Sequence, residues 1–187
     1  MHTLYTIEHG AIGDLDALVN IENEIFDRAD SQLSRRAFRY HINSHNLLLV
    51  AKSRAGENTV VSGYLLALLH RKSARVYSIA VRTGYQKQGI ASALLSSAIR
   101  AVSDLGIERI ALEVKVVNDN AIKLYQQFGF SRRKAIPDYY PDGMAALYME
   151  MPLVSQKMKT RGKSGEACTT LDWISMYVYQ DAHQGAT

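Results

Sequence analysis

The apolar residues of this chain change their period once, and abruptly. Over residues 74–81 they alternate as in a strand: Val76, Ser78 and Ala80 fall to one side, Tyr77, Ile79 and Val81 to the other. After a short polar stretch the period becomes helical. Ala91, Leu94, Leu95, Ala98, Ile99 and Val102 recur at three and four through residues 90–105, and Gly106 follows as a helix stop. Residues 109–116 then read as another strand. A strand, a long one-sided helix and a second strand in close succession restrict the chain to folds in which a helix lies across a sheet.

The flanking segments fill in that sheet. Residues 4–8 read as a short strand ended by Gly10 and Gly13. From Asp14 a helical pattern runs through Leu15, Leu18, Val19, Glu22, Ile25 and Phe26, with Asp14 and Asp16 in the first turn, where the helix dipole favours them. Ser34 is a good N-cap for a second short helix through Phe38 and Ile42, and residues 27–33 form a polar loop between the two. Residues 47–51 and 60–69 read as strands, with 53–58 a turn around Gly56. Downstream, residues 118–128 carry Ala121, Ile122, Leu124 and Tyr125 on one helix face, closed by Gly129. Residues 130–136 and 144–151 form a last antiparallel pair around the loop 137–143. The order β-α-α-β-β-β-α-β-α-β-β predicts an α/β (α+β) domain: a mixed, mostly antiparallel sheet with helices on both faces and a central β-α-β-α unit.

With 187 residues, 47% apolar and 21% charged, the chain suits one globular domain with a short appendage. Residues 1–153 make the domain and 154–187 the appendage: a Lys- and Arg-rich linker over 156–165, then an apolar, aromatic stretch over 171–179 whose role is open. The linker cluster Lys157, Lys159, Arg161 and Lys163 reads first as a solvated segment, second as a contact to RNA or a ribosomal surface. No apolar run reaches the ~20 residues that span a bilayer, and no secretory signal opens the chain, so a cytoplasmic protein is expected. Cys168 stands alone, which excludes an intrachain disulfide and gives no thiol nucleophile a nearby histidine. His41, His45 and His70 have no metal-ligand spacing, so no metal is expected. A net charge of +4 does not call for specific nucleic-acid binding; it suits a basic surface or a polyanionic cofactor.

The sharpest local feature joins the alternating strand to the long helix: Gly84, then Gln86, Lys87, Gln88, Gly89, Ile90 and Ala91. A first helical turn has unpaired N–H groups and a positive dipole end, and small residues let an anion reach them. No Gly-Lys-Ser/Thr follows, and three spaced glycines are lacking, so neither a P-loop nor a dinucleotide fingerprint is present. By itself the segment is a turn with a possible anion site. Downstream lies a second pattern, Asn118-x-x-Ala121-x-x-Leu124-Tyr125-x-x-x-Gly129-Phe130. Together, Gln86-x-x-Gly89-x-Ala91 and this second pattern resemble the acetyl-CoA motifs of the GNAT acetyltransferase superfamily. The likeness spans residues 4–153. Ile79-Ala80-Val81, Leu112-Glu113-Val114-Lys115 and Asp138-Tyr139-Tyr140-Pro141 make it similar to the bacterial ribosomal-protein alanine N-acetyltransferases and other peptide α-amine acetyltransferases.

The resemblance implies a GNAT fold, acetyl-CoA as cosubstrate, and a role for each matched residue. Ile79, Ala80 and Val81 would hold the pantetheine arm through backbone groups, with an N–H near Val81 polarising the thioester carbonyl. Gln86, Lys87, Gln88, Gly89, Ile90, Ala91 and Ser92 would cradle the pyrophosphate. Asn118 would contact the cofactor arm, although its type and position equally suit a plain N-cap. Tyr125 matches the general acid for the leaving thiolate, and otherwise reads as a core aromatic. Glu113 matches the general base; an exposed strand residue or a salt bridge to an arginine is its alternative. Tyr139 and Tyr140 match a pair lining the acceptor groove, or belong to a turn. Glu22, Glu24 and Phe26 end the first helix, which helps form the acceptor site in relatives. Two departures bear on the acceptor: Met144 and Ala145 stand where an acidic pair often follows the glycine, and the loop 27–33 lacks a tryptophan seen in many relatives. The implied activity is acetyl transfer to a primary amine, first a peptide or protein N-terminal α-amine, a ribosomal protein among the candidates. A small amine (polyamine, amino acid or aminoglycoside) and a non-catalytic acyl-CoA-binding module are the alternatives. Monomer and homodimer are both open.

Overall fold

The computed structural model describes residues 4–27 and 32–153; the tail from 154 onward and the middle of the 27–33 loop lie outside the described residues. The chain runs β1 (Tyr5–His9), α1 (Leu15–Ile25), α2 (Arg35–Ile42), β2 (Leu47–Ala55), β3 (Asn58–Leu69), β4 (Ser73–Val81), α3 (Ile90–Asp104), β5 (Arg109–Lys115), α4 (Asp119–Gln127), β6 (Ser131–Ile136) and β7 (Ala146–Pro152). The seven strands form one sheet in the order β1-β2-β3-β4-β5-β7-β6. Every neighbouring pair is antiparallel except β4 and β5, which the α3 crossover makes parallel.

Alternation along β2 divides the core in two. Leu47, Leu49 and Ala51 pack with Leu94, Leu95 and Ala98 of α3 and Ile122 of α4 on one face. Leu48 and Val50 pack with Leu18 and Ile21 of α1 and Phe38 of α2 on the other. The helices start where expected: the Ser34 side chain accepts from the Ala37 N–H at 3.2 Å, a cap of about 1 kcal/mol. Phe38 then meets Tyr64 edge-on at 5.2 Å, and its full burial contributes about 1.5–3 kcal/mol to seating α2. Among the described residues no helix is long and apolar enough to cross a membrane.

One expected boundary moves. Residues 53–58 read as a turn, but β2 continues to Ala55 and β3 begins at Asn58, leaving only Gly56 and Glu57 between them. The misleading signal is Ser53, a buried polar residue within the sheet. Its hydroxyl donates to Ser62 Oγ at 2.7 Å, which in turn donates to the Ala51 carbonyl at 3.1 Å.

Candidate active site

The site begins where two parallel strands stop pairing. β4 and β5 are in register from Ser73 with Arg109 to Val76 with Leu112. Beyond that point β4 stays with β3 as far as Val81, and β5 stays with β7 as far as Lys115. Among the described residues, the edge of β4 from Tyr77 onward therefore faces a gap rather than a neighbour. A bulge accompanies the split: Ala67 of β3 faces Val76 and Leu66 faces Ser78, so Tyr77 is an extra residue. This corrects the strict alternation read from sequence. The extra residue flips the parity, so Val76 and Val81 share the α3 face, with Ile79 packed against it, while Ala80 joins the opposite core. Gly63 lets β3 follow β4 closely here; a Cβ on it would lie 2.8 Å from the Ala80 carbonyl oxygen. The gap opens into a cleft of about 890 Å³.

One wall of the cleft is built by the turn into α3. A 3-10 turn over Thr83–Tyr85 is followed by two left-handed residues, Lys87 (φ 59°) and Gly89 (φ 81°), the second being the N-cap of α3. Gly89 offers no side chain to cap the first turn, whose N–H groups have no intrahelical acceptor. The Gln86 amide donates to the Val81 carbonyl at 3.1 Å, and the Gln88 amide to Gly84 at 3.3 Å. Gln86 thus braces the loop onto the strand that precedes it, and Gln88 braces the loop on itself.

At the cleft floor, α4 brings up Tyr125. Its ring is buried, tilted against Phe130 at 5.9 Å, and the residue lines the cleft. Burial, and secondarily Tyr140, push its phenol well above the ordinary value, so it holds its proton throughout the physiological range. Asn118 also lines the cleft, and its side chain accepts from the Ala121 N–H at 3.1 Å as the α4 cap.

The far wall is made of paired side chains. Glu113 on β5 accepts from Arg75 Nε at 2.7 Å, and Arg75 Nη2 donates to the Tyr139 hydroxyl at 2.6 Å. The same guanidinium lies 5.5 Å from the Tyr77 ring centre. Tyr139 and Tyr140 meet edge-on at 5.1 Å, and Lys115 sits 5.1 Å above Tyr140 while pairing with Asp142 at 3.0 Å. Glu22 is buried at the end of α1: it accepts from the Leu33 N–H at 2.7 Å and from the Tyr64 hydroxyl, which also contacts Ser78 Oγ at 2.8 Å. Burial first, then the charge of Glu22, push the Tyr64 phenol far up, so it keeps the proton it donates. Glu24 joins the two walls, pairing with Arg82 at 3.0 Å and accepting from the Thr83 N–H at 2.8 Å. Among the described residues no cluster of His, Cys, Asp and Glu is placed to hold a metal ion.

Residues 15–130 match the Acetyltransferase (GNAT) family. The chain belongs to that family. Over 83 residues it is 41% identical to the N-alpha-acetyltransferase of Sulfurisphaera tokodaii, covering 44% of this chain and 50% of the relative. Over 100 residues it is 32% identical to the ribosomal protein bS18-alanine N-acetyltransferase of Escherichia coli, covering 52% of this chain and 68% of that one. The crystal structure of the latter superposes with a TM-score of 0.69 at 26% identity, covering 88% of this chain and 98% of that one. The chain spans about half the length of the archaeal N-alpha-acetyltransferases it matches.

Within this GNAT domain, the residues singled out from sequence do not all stand alike. Ile79, Val81, Gln86, Ala91, Asn118, Glu113, Tyr125, Tyr139, Tyr140, Glu22 and Phe26 all line the one cleft. Ala80 and Ile90 have their side chains in the core, so any contact they make with a ligand runs through backbone. Lys87, Gln88, Gly89 and Ser92 form the turn and first helical turn beside it. Glu113 takes the ion pair weighed as its alternative, and Asn118 the N-cap. Sequence reasoning missed Arg75, Tyr64 and Tyr77. Arg75 carried a faint signal, as a charge inside an apolar strand; Tyr64 carried none, because its partner Glu22 lies on a different element.

Proposed function

We propose that this chain transfers the acetyl group of acetyl-CoA to the α-amine of a peptide or protein N-terminus. The observation that carries this reading is the unpaired edge of β4 beyond Val76, facing a cleft with the α3 turn at one end and Tyr125 at its floor. The residues present suit acetyl-CoA. An open strand edge can take the amide-bearing pantetheine arm as a sheet takes another strand. The capless α3 N-terminus, reached through Gly89, suits a pyrophosphate.

Transfer requires the amine nitrogen to attack the thioester carbon, the C–S bond to break, the nitrogen to lose a proton and the sulfur to gain one. Tyr125 keeps its proton and lines the cleft, so it can hydrogen-bond the departing sulfur. As the C–S bond breaks the phenol supplies the proton that the sulfur gains, and it is reprotonated from solvent. Glu113, tied to Arg75, receives the amine proton directly or through water. An α-amine, with a pKa of roughly 7.7–8.0, needs little help; a lysine at about 10.4 needs more.

The acceptor end also weighs against polycationic amines. Among the described residues the two acidic side chains lining the cleft are engaged, Glu22 by Leu33 and Tyr64, Glu113 by Arg75, and Lys115 lines it too. In this reading residues 1–153 are the catalytic unit, working in the cytoplasm. Thiol release from acetyl-CoA, followed with a panel of N-terminal peptides (ribosomal-protein N-termini included) and with polyamines, amino acids and aminoglycosides, tests it. Peptides should lead. Tight cofactor binding with no turnover on any amine would mark a non-catalytic module instead.

A further inference from the structure

Arg75 is a cation on the acceptor side of the cleft, one residue before β4 and β5 part. Its guanidinium is held on three sides: by Glu113 at Nε, by the Tyr139 hydroxyl at Nη2, and by the Tyr77 ring beneath it. A guanidinium carries five N–H donors in a planar fork, and the described residues engage two of them. Because the side chain is already fixed, an anion that binds the fork forfeits little further rotamer freedom.

The neighbouring charges set what such an anion must belong to. Glu113 and Arg75 stand side by side as a minus and a plus. The complementary acceptor is a plus and a minus at similar spacing, an ammonium against Glu113 and a carboxylate against Arg75. A second positive charge would instead lie against Arg75. Lys115, the other cation among the described residues that line the cleft, is paired with Asp142 and seated over Tyr140.

We propose that Arg75 is a specificity-determining residue that selects acceptors with a carboxylate close to the reacting α-amine, as in a peptide whose first or second residue is acidic. The proposal rests on the acetyl-transfer reading above. Tyr139 and Tyr77 serve as positioning residues, holding the fork in plane.

The test is kcat/KM, by thiol release, for peptide pairs that differ only by Asp against Asn at the first or second position, with free aspartate as a further arm. The wild-type protein should favour the Asp peptide about tenfold, the scale of one charge-assisted hydrogen bond, with most of the difference in KM. Arg75→Gln should bring the ratio to about one. Arg75→Lys, which keeps the charge and loses the fork, should fall between. CoA binding by calorimetry reports that each variant is folded. If Arg75→Gln does not fold, the wild-type ratio and Arg75→Lys decide. Equal rates on Asp and Asn peptides in the wild type overturn the proposal and leave peptide acetylation standing. So does a preference that survives in Arg75→Gln. Transfer to free aspartate but to no peptide keeps the fork and overturns the peptide acceptor. No transfer to any amine overturns both.

Discussion

The two walls of the cleft are made of different material. The α3 side is backbone: a strand edge without a partner, a turn through two left-handed residues, and a helix start without a side-chain cap. The acceptor side is a set of side-chain pairs, Arg75 with Glu113 and Tyr139, Lys115 with Asp142, and Glu22 with Tyr64. Backbone groups are the same whatever the residue, so the first wall needs only the right local conformation and tolerates much change around it. The second wall depends on partners drawn from separate elements; Arg75 and Tyr139 lie 64 positions apart. A cofactor shared by many enzymes suits the first construction. A choice among amines suits the second, where one substitution alters charge without moving the chain.

Four substitutions separate the walls. The largest effect belongs to Tyr125→Phe, at their junction. It should lower turnover about a hundredfold, within the usual span for a lost proton-bearing group, and leave CoA affinity unchanged by calorimetry. Unaltered turnover would remove Tyr125 from the chemistry. Gly89→Val comes next. It forces a branched side chain into a φ of 81° beside the capless turn, so CoA affinity should fall about tenfold or more while the acceptor KM holds. An equal rise in acceptor KM would mean that the walls are not independent.

Glu22→Ala reverses that pattern. Removing the carboxylate takes the buried acceptor from the Leu33 N–H and leaves the Tyr64 hydroxyl only Ser78 Oγ, at a cost of about 1–3 kcal/mol. Thermal melting should drop several degrees and the acceptor KM should rise, with CoA affinity little changed. Glu24→Gln is the mildest. The Thr83 N–H, then Arg82, hold the Glu24 carboxyl below its ordinary value. Its contribution to stability is complete above that ordinary value and is lost as pH falls through the lowered one. The variant should melt slightly below wild type near neutral pH, and the gap should close in acid. A gap that widens in acid would contradict the pairing.

Legibility followed the same division. Gln86, Gly89 and Ala91 announced the turn because glycine and small residues before a helical period have a local meaning. The order of strands and helices was legible for the same reason, since periods of two and of about three and a half are local. Three things were not. The bulge at Tyr77 depends on β3 supplying Leu66 and Ala67 opposite it, and no residue within β4 announces that register. The end of β2 was hidden because Ser53 finds its partner in Ser62, across a hairpin. Glu113 was recognised as a cleft residue, but its ion pair depends on a strand 38 residues earlier.

Taken by itself, the sequence determined the elements, their order, and the place of the turn that leads into α3. Those are set by interactions within a few residues: alternation, helical spacing, caps and the freedom of glycine. Tertiary structure alone decided where β4 and β5 part, which face Ile79 and Val81 present, and which charges at the acceptor end are already engaged. Those depend on register and on pairs closed between distant segments, and a buried charge takes its meaning from the partner beside it.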